Sequence, residues 1–233
     1  MIPLRDNAPT RQFPVVTTAL IAANVVAYFL WQDGGVQTAE GPVDEWAFHP
    51  CEVNASCAVV GEDWLPTLFT SMFMHADLVH LGGNMLFLWI FGNNVEDALG
   101  RLRYLAFYLL AGVAAAALQT VVTLASASDA AAQIPNLGAS GAISGVLGAY
   151  FILLPRARVL TVIFLGIIFF LREIPAVFFL GVYFVFQLWQ ANVQLGAPPE
   201  GGGVAVFAHL GGILFGLATV KFVQRRAPLR PSW

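Results

Sequence analysis

Apolar residues along this chain come in long runs separated by short polar breaks, with neither the strict alternation of half-buried strands nor the one-sided stripe of a soluble helix. Five runs reach or approach the roughly 20 residues needed to cross a bilayer as a helix: Val15–Trp31, Leu78–Val95, Tyr104–Ala125, Ile174–Trp189 and Val204–Val223. A sixth, Gly138–Leu154, is shorter and stops sharply at Pro155 and Arg156. The pattern predicts an all-α, polytopic membrane protein of six spans. Its parts are an N-terminal tail over 1–14, a membrane domain over 15–223 with a long external loop at 32–77, and a C-terminal tail over 224–233.

Composition agrees. Of 233 residues 58% are hydrophobic and 11% charged, less than half the charged share of an ordinary soluble domain. Charge placement then orients the chain. All 11 Lys and Arg residues fall in 1–11, 101–103, 156–172 or 221–230, and basic residues mark the cytoplasmic side. Six alternating spans put every one of them, and both termini, on that side. Met1–Gln12 is short, polar and doubly basic with no clean cleavage site after the first apolar run, so that run reads as a retained helix. A bacterial inner membrane is the expected setting.

The thirteen-residue segment Val159–Leu171, bounded by Arg158 and Arg172, is too short to cross. Were it to cross, everything after it would invert. It reads as an interfacial or re-entrant piece, partly extended given its β-branched and aromatic content. The loop 32–77 carries Pro42, Pro50 and Pro66, the aromatics Trp46, Phe48 and Trp64, and the chain's two cysteines, Cys51 and Cys57. On the external side these cysteines are expected to pair, two free thiols being the alternative.

Polar residues inside apolar runs are where chemistry is sought, because placing them there is costly. His80 and Asn84 stand at i, i+4 and share a face at the outer end of the second run. An asparagine amide can steady a developing oxyanion, or simply hydrogen-bond to a neighbouring helix. His75 is close by, but no third ligand accompanies it, and no metal or other cofactor is expected. In the stretch 138–148 Gly141, Gly145 and Gly148 face one way, and Gly212 and Gly216 stand four apart in the last run. Two glycine-faced helices can approach until a serine of one meets a histidine of the other, the geometry of a nucleophile and its base. Ser140 lies in the first helical turn, where free backbone N–H groups can help hold an oxyanion. Ser144, one turn deeper and less open to water, is the less suitable nucleophile.

These residues resemble the rhomboid family of intramembrane serine proteases. The resemblance covers most of 65–223 and is carried by Gly138-Ala139-Ser140-Gly141, by His80-x-x-x-Asn84, by the run Gly92–Gly100 that includes Glu96, and by Ala208-His209-x-x-Gly212-x-x-x-Gly216. It implies a six-helix bundle in which Ser140 is the nucleophile and His209 its base, with His80, Asn84 and the Ser140 N–H at the oxyanion. The implied partners are transmembrane protein substrates and membrane lipids. For Glu96 a capping role, or an ion pair with Arg101 or Arg103, is preferred to a part in chemistry. Two departures stand out: Ser144 occupies a position where the family often has an aromatic that stacks on the histidine, and the loop's Trp-Arg pair is Trp64-Leu65 here. No acid lies near His209 in sequence, which implies a dyad whose orienting role falls to packing. A catalytically inactive relative that escorts membrane proteins is the rival reading, although both dyad residues are present. A transporter fits poorly, since the charges lie at the ends of the runs. No basic footprint supports nucleic-acid binding, and nothing sets an oligomeric state.

Overall fold

The structure, a computed structural model, describes residues 1–32, 41–57, 64–126, 129–166, 168–196 and 205–229. Asp33, Glu40, Glu62 and Asp63 of the first loop, the 197–204 stretch and Arg230 lie outside the described residues. Helices occupy all six apolar runs. α1 (Val15–Val26) continues through a π turn at Ala27–Trp31, and α4 (Leu78–Phe87) continues through a second π turn at Leu88–Gly92 into α5 (Asn93–Leu99). Then come α6 (Arg101–Ser126), the short α7 (Asp129–Ala132), α8 (Ser140–Leu153), α9 (Ala176–Gly196) and α10 (Val206–Val223). Short α2 (Pro42–Trp46) and α3 (Trp64–Thr70) lie in the first loop. Among the described residues three helices are by length and composition able to cross a membrane alone, α6, α9 and α10, with shorter apolar helices at Val15–Trp31 and Ser140–Leu153.

An all-α fold does not hold. Residues Ile2–Asp6 (β1), Arg158–Leu165 (β2) and Ile168–Pro175 (β3) form a three-stranded antiparallel sheet in the order β1-β2-β3. The β2–β3 hairpin runs from Arg158 opposite Pro175 to Leu165 opposite Ile168. It turns at Gly166 with φ +64°, a conformation that favours glycine. The run was too short for a span but rich in β-branched and aromatic residues, which suit a pleated ribbon. Its third strand came from the polar N-terminal tail, which has no strand-like alternation. The segment expected to be interfacial or re-entrant and partly extended is thus extended over most of its length, as a β-hairpin. Phe164, Ile168 and Phe169 near its tip are each more than half exposed.

The sheet is tied to the bundle through a buried carboxylate. Asp6 accepts hydrogen bonds from the Tyr150 hydroxyl of α8 and from Asn94 Nδ2 of α5, the latter at 2.8 Å. Burial pushes its carboxyl up to about 6, against the opposing pull of the Tyr150 bond. A carboxyl held above its unfolded value favours the folded state most when protonated, so its contribution is lost as pH rises from about 4 through 6. Asp6→Asn should therefore be more stable than the parent in detergent at pH 7.5, by about 3 kcal/mol at most, with a higher thermal transition. The difference between the two proteins should vanish near pH 4. A difference that is constant from pH 4 to 8 would contradict this.

The central seam is formed by α6, α8 and α10. Gly141 and Gly145 of α8 turn their Cα hydrogens toward Ala115 and Ala111 of α6, where an added Cβ would come within 2.6 and 2.5 Å of the alanine methyls. At Gly148 an added Cβ would sit 2.6 Å from the Ile213 carbonyl oxygen of α10. Gly212 and Gly216 come closer still: a Cβ on either would land on the carbonyl oxygen of Gly141 or Gly145. The seam holds the start of α8 beside the start of α10. α9 packs on their outer side and exposes Phe178, Val182, Val185, Phe186, Leu188 and Trp189.

Candidate active site

α8 begins at Ser140, preceded by Gly138 with φ +113°, a backbone shape that glycine tolerates. The Gly138 N–H donates to the Ser71 carbonyl at 2.9 Å, which anchors the turn to the loop below α3. α10 starts at Val206, and the Ala208 N–H in its first turn finds an acceptor in Gln119 Oε1 of α6 at 3.2 Å. Both helix starts are thus pinned, and across the seam Ser140 Oγ lies 2.9 Å from His209 Nε2, 69 residues apart in sequence. His209 is buried and Ser140 partly so.

Ser144 is separate from this pair. It is 1% exposed, and its Oγ lies 3.3 Å from the hydroxyl of Tyr183 on α9. The position four residues after Ser140, where the family often has an aromatic, thus holds one member of a hydroxyl pair between helices.

His80 and Asn84 close over the turn before Ser140. An added Cβ on Gly138 would lie 2.8 and 2.9 Å from His80 Cε1 and Nε2, and 3.7 Å from Asn84 Nδ2. The α4 start is capped by Asp77, whose Oδ1 accepts the His80 N–H at 2.8 Å. His80 Nδ1 takes the Ala76 N–H at 3.5 Å, which leaves the ring proton on Nε2, the nitrogen beside Gly138. Asn84 is buried, and its Nδ2 has no hydrogen-bond partner. A buried donor without a partner is costly in a folded protein and is what an anion arriving during a reaction would use. His75 packs edge-on against His80 with ring centroids 5.1 Å apart. Burial pushes its imidazole down to about 4, and both ring nitrogens lack partners.

Packing alone does not orient His209. Its Nδ1 lies 3.0 Å from Oε1 of Gln187 on α9, and Gln187 is 4% exposed. No acid lies near His209 in the chain, which left packing as the expected orienting force, and Gln187 is 22 residues upstream on another helix. Its signal was present all the same: no other amide or charged residue occurs in 176–189.

Glu96 lies away from this site and caps α1. Its carboxylate accepts the N–H groups of Val16 and Thr17 at 3.0 and 2.8 Å and the Thr17 hydroxyl at 2.8 Å. Val15–Val26 begins after Pro14 with no side-chain cap of its own, so Glu96 supplies acceptors for N–H groups that every helix start leaves open. The expected ion pair with Arg101 or Arg103 is not what holds it; Arg103 Nη1 instead donates to the Val223 carbonyl at 3.4 Å. In the loop, Cys51 and Cys57 are joined in a disulfide, their Cα atoms 5.0 Å apart.

Comparison with known proteins fits this arrangement. The rhomboid domain family matches residues 62–226, and the chain belongs to that membrane-embedded family. It is 29% identical over 227 residues, 93% of its length, to the mitochondrial presenilin-associated rhomboid-like protein of Homo sapiens, covering 52% of that protein. It is 30% identical over 175 residues to the mitochondrial rhomboid protein 1 of Saccharomyces cerevisiae, covering 72% of this chain and 46% of that one. To the rhomboid protease GluP of Bacillus subtilis it is 36% identical over 137 residues, 58% of this chain and 24% of that one. The chain thus spans about half the length or less of these relatives. The mitochondrial relatives lend no support to a bacterial inner membrane as its setting.

Proposed function

We propose that the chain is an intramembrane serine endopeptidase that cleaves transmembrane segments of other membrane proteins near one face of the bilayer. The observation that carries this reading is the 2.9 Å contact between Ser140 Oγ and His209 Nε2, with the unpartnered Asn84 amide beside the preceding turn. His209 takes the Ser140 proton as the oxygen attacks a peptide carbonyl. The N–H of Ser140, first in its helix and without an intrahelical partner by position, joins His80 Nε2–H and Asn84 Nδ2–H around the oxyanion. His209 then protonates the leaving amine, and water entering from the open end of α8 releases the acyl group. A substrate helix hides its carbonyls in its own hydrogen bonds, so it must unwind locally, and residues that weaken helices near the cut favour cleavage. Six spans would place both termini on the face opposite the active site.

The test is cleavage of a single-span protein in liposomes by the full chain, with a fluorophosphonate probe to mark the reactive serine. Cleavage with labelling at Ser140 supports the reading. Binding of the single-span protein with neither cleavage nor labelling would turn the assignment to an escort factor. A cysteine placed in 196–203 should react with an impermeant reagent from the active-site face, and one in 224–229 only from the other; the reverse would overturn the six-span topology.

The oxyanion assignment has its own test. Asn84→Ala should lower kcat by no more than about 10²–10³-fold with little change in KM, because the donor matters once negative charge has formed. The thermal transition in detergent should stay in place, since Asn84 Nδ2 holds no partner in the resting protein. A tether between helices would show the opposite: a lowered transition at unchanged kcat per folded molecule.

A further inference from the structure

The geometry points to Gln187 as the positioning residue for His209: its amide oxygen holds the imidazole in the one neutral tautomer that can act as a base. This inference rests on the Ser140–His209 reading above. To accept the Ser140 proton, His209 Nε2 must present a lone pair, so the neutral ring must carry its hydrogen on Nδ1. Nδ1 lies 3.0 Å from Gln187 Oε1, and an amide oxygen only accepts hydrogen bonds. With the hydrogen on Nδ1 the contact is a bond; with the hydrogen on Nε2, two lone pairs would face each other and the base would be lost. One contact thus selects both the tautomer and the ring orientation, the task that the third group performs in serine hydrolases.

The surroundings suit a neutral group in that role. Gln187 and His209 are both buried, and the outward side chains of α9 are large, apolar and exposed. A carboxylate at this depth would bring a heavy desolvation cost, whereas an amide orients the ring without adding a charge. The amide does not neutralise the imidazolium that forms later, so its contribution comes mainly from tautomer and orientation. Tyr183 stands one turn before Gln187 on the same face of α9 and meets Ser144 of α8 at 3.3 Å. The two side chains seat α9 against α8 and α10 at the depth of the dyad, which keeps the acceptor in line with Nδ1.

The experiment uses the full chain in proteoliposomes, reading both cleavage of a single-span substrate and the rate at which a fluorophosphonate labels Ser140. Gln187→Leu keeps most of the volume and removes the acceptor. It should lower kcat and the labelling rate by about 10–100-fold with KM within about twofold of the parent. Gln187→Glu restores an acceptor and, once ionised, favours the protonated imidazole. It should recover activity over Gln187→Leu and move the acid limb of the pH–rate profile upward by about one pH unit or more. A purely structural glutamine would behave otherwise: Gln187→Leu would lower the thermal transition while kcat per folded molecule stayed at the parent value, or Gln187→Glu would leave the acid limb in place. Either result overturns the proposal. If the parent chain itself shows neither cleavage nor labelling, the protease reading falls first and this proposal with it. A fully active parent with an equally active Gln187→Leu removes only the role of Gln187.

Discussion

Ser140→Ala should abolish cleavage and fluorophosphonate labelling in the proposed protease while the thermal transition in detergent stays within a few degrees of the parent. The hydroxyl has one reactive neighbour, His209 Nε2 at 2.9 Å, and its loss removes a hydrogen bond worth about 1 kcal/mol at a partly exposed position. The rate should fall far more, by roughly 10⁴-fold or beyond, because no other group stands where it could replace the Ser140 hydroxyl as nucleophile. Ser144→Ala should reverse the pattern. Ser144 is buried against Tyr183, so the change leaves a phenol without its partner and costs about 1–2 kcal/mol of stability, while the Ser140–His209 contact persists and most activity remains. Measured side by side, the two substitutions separate nucleophile from neighbour. An inactive Ser144→Ala beside a working Ser140→Ala would move the nucleophile one turn into the membrane and leave His209 Nε2 bonded to a bystander.

Much of this site was legible in the chain because it is written in residues that are expensive where they stand. Ser140 and His209 each open an apolar run beside small residues, and His80 and Asn84 share a helix face; the structure brings all four around Gly138 and the start of α8. The other parts have weaker signals. Gln187 carries no motif, and nothing in linear sequence relates it to a histidine 22 residues away. Ala111 and Ala115, which complete the seam opposite Gly145 and Gly141, are alanines in an alanine-rich helix and carry no periodic mark. The hairpin over 158–175 lacks strand alternation because its tip is apolar on both faces, so hydropathy gave its amphiphilic character but not its pairing with Ile2–Asp6. For Glu96 the capping role was legible and the ion pair was not needed: of the two expectations, the structure shows the cap, over the open N–H groups of α1.

The seam itself predicts the largest loss of stability. In Gly216→Val, and to a lesser degree Gly216→Ala, the new Cβ falls on the Gly145 carbonyl oxygen, with the Gly145 carbonyl carbon at 2.9 Å and the Ala149 nitrogen at 3.0 Å. All three are backbone atoms, so no rotamer change relieves the clash and α10 must move away from α8. Overpacking of this kind costs about 1–3 kcal/mol and occasionally more, and the valine variant should unfold well below the parent in detergent. Gly212→Ala acts nearer the chemistry. Its Cβ falls on the Gly141 carbonyl oxygen, with the Gly145 nitrogen at 3.0 Å, and Gly212 lies less than one helical turn beyond His209. Movement there lengthens the Ser140–His209 contact directly, so kcat per folded molecule should fall about 10-fold or more, since small misplacements of reacting groups cost rate steeply. Gly181→Ala on α9 is the matched control: an added Cβ there meets nothing within 4 Å, and alanine is the better helix former, so stability and kcat should hold or improve slightly. If Gly212→Ala and Gly216→Val both behave like Gly181→Ala, α8 and α10 are not in backbone contact, and the close approach that sets serine beside histidine must have another cause.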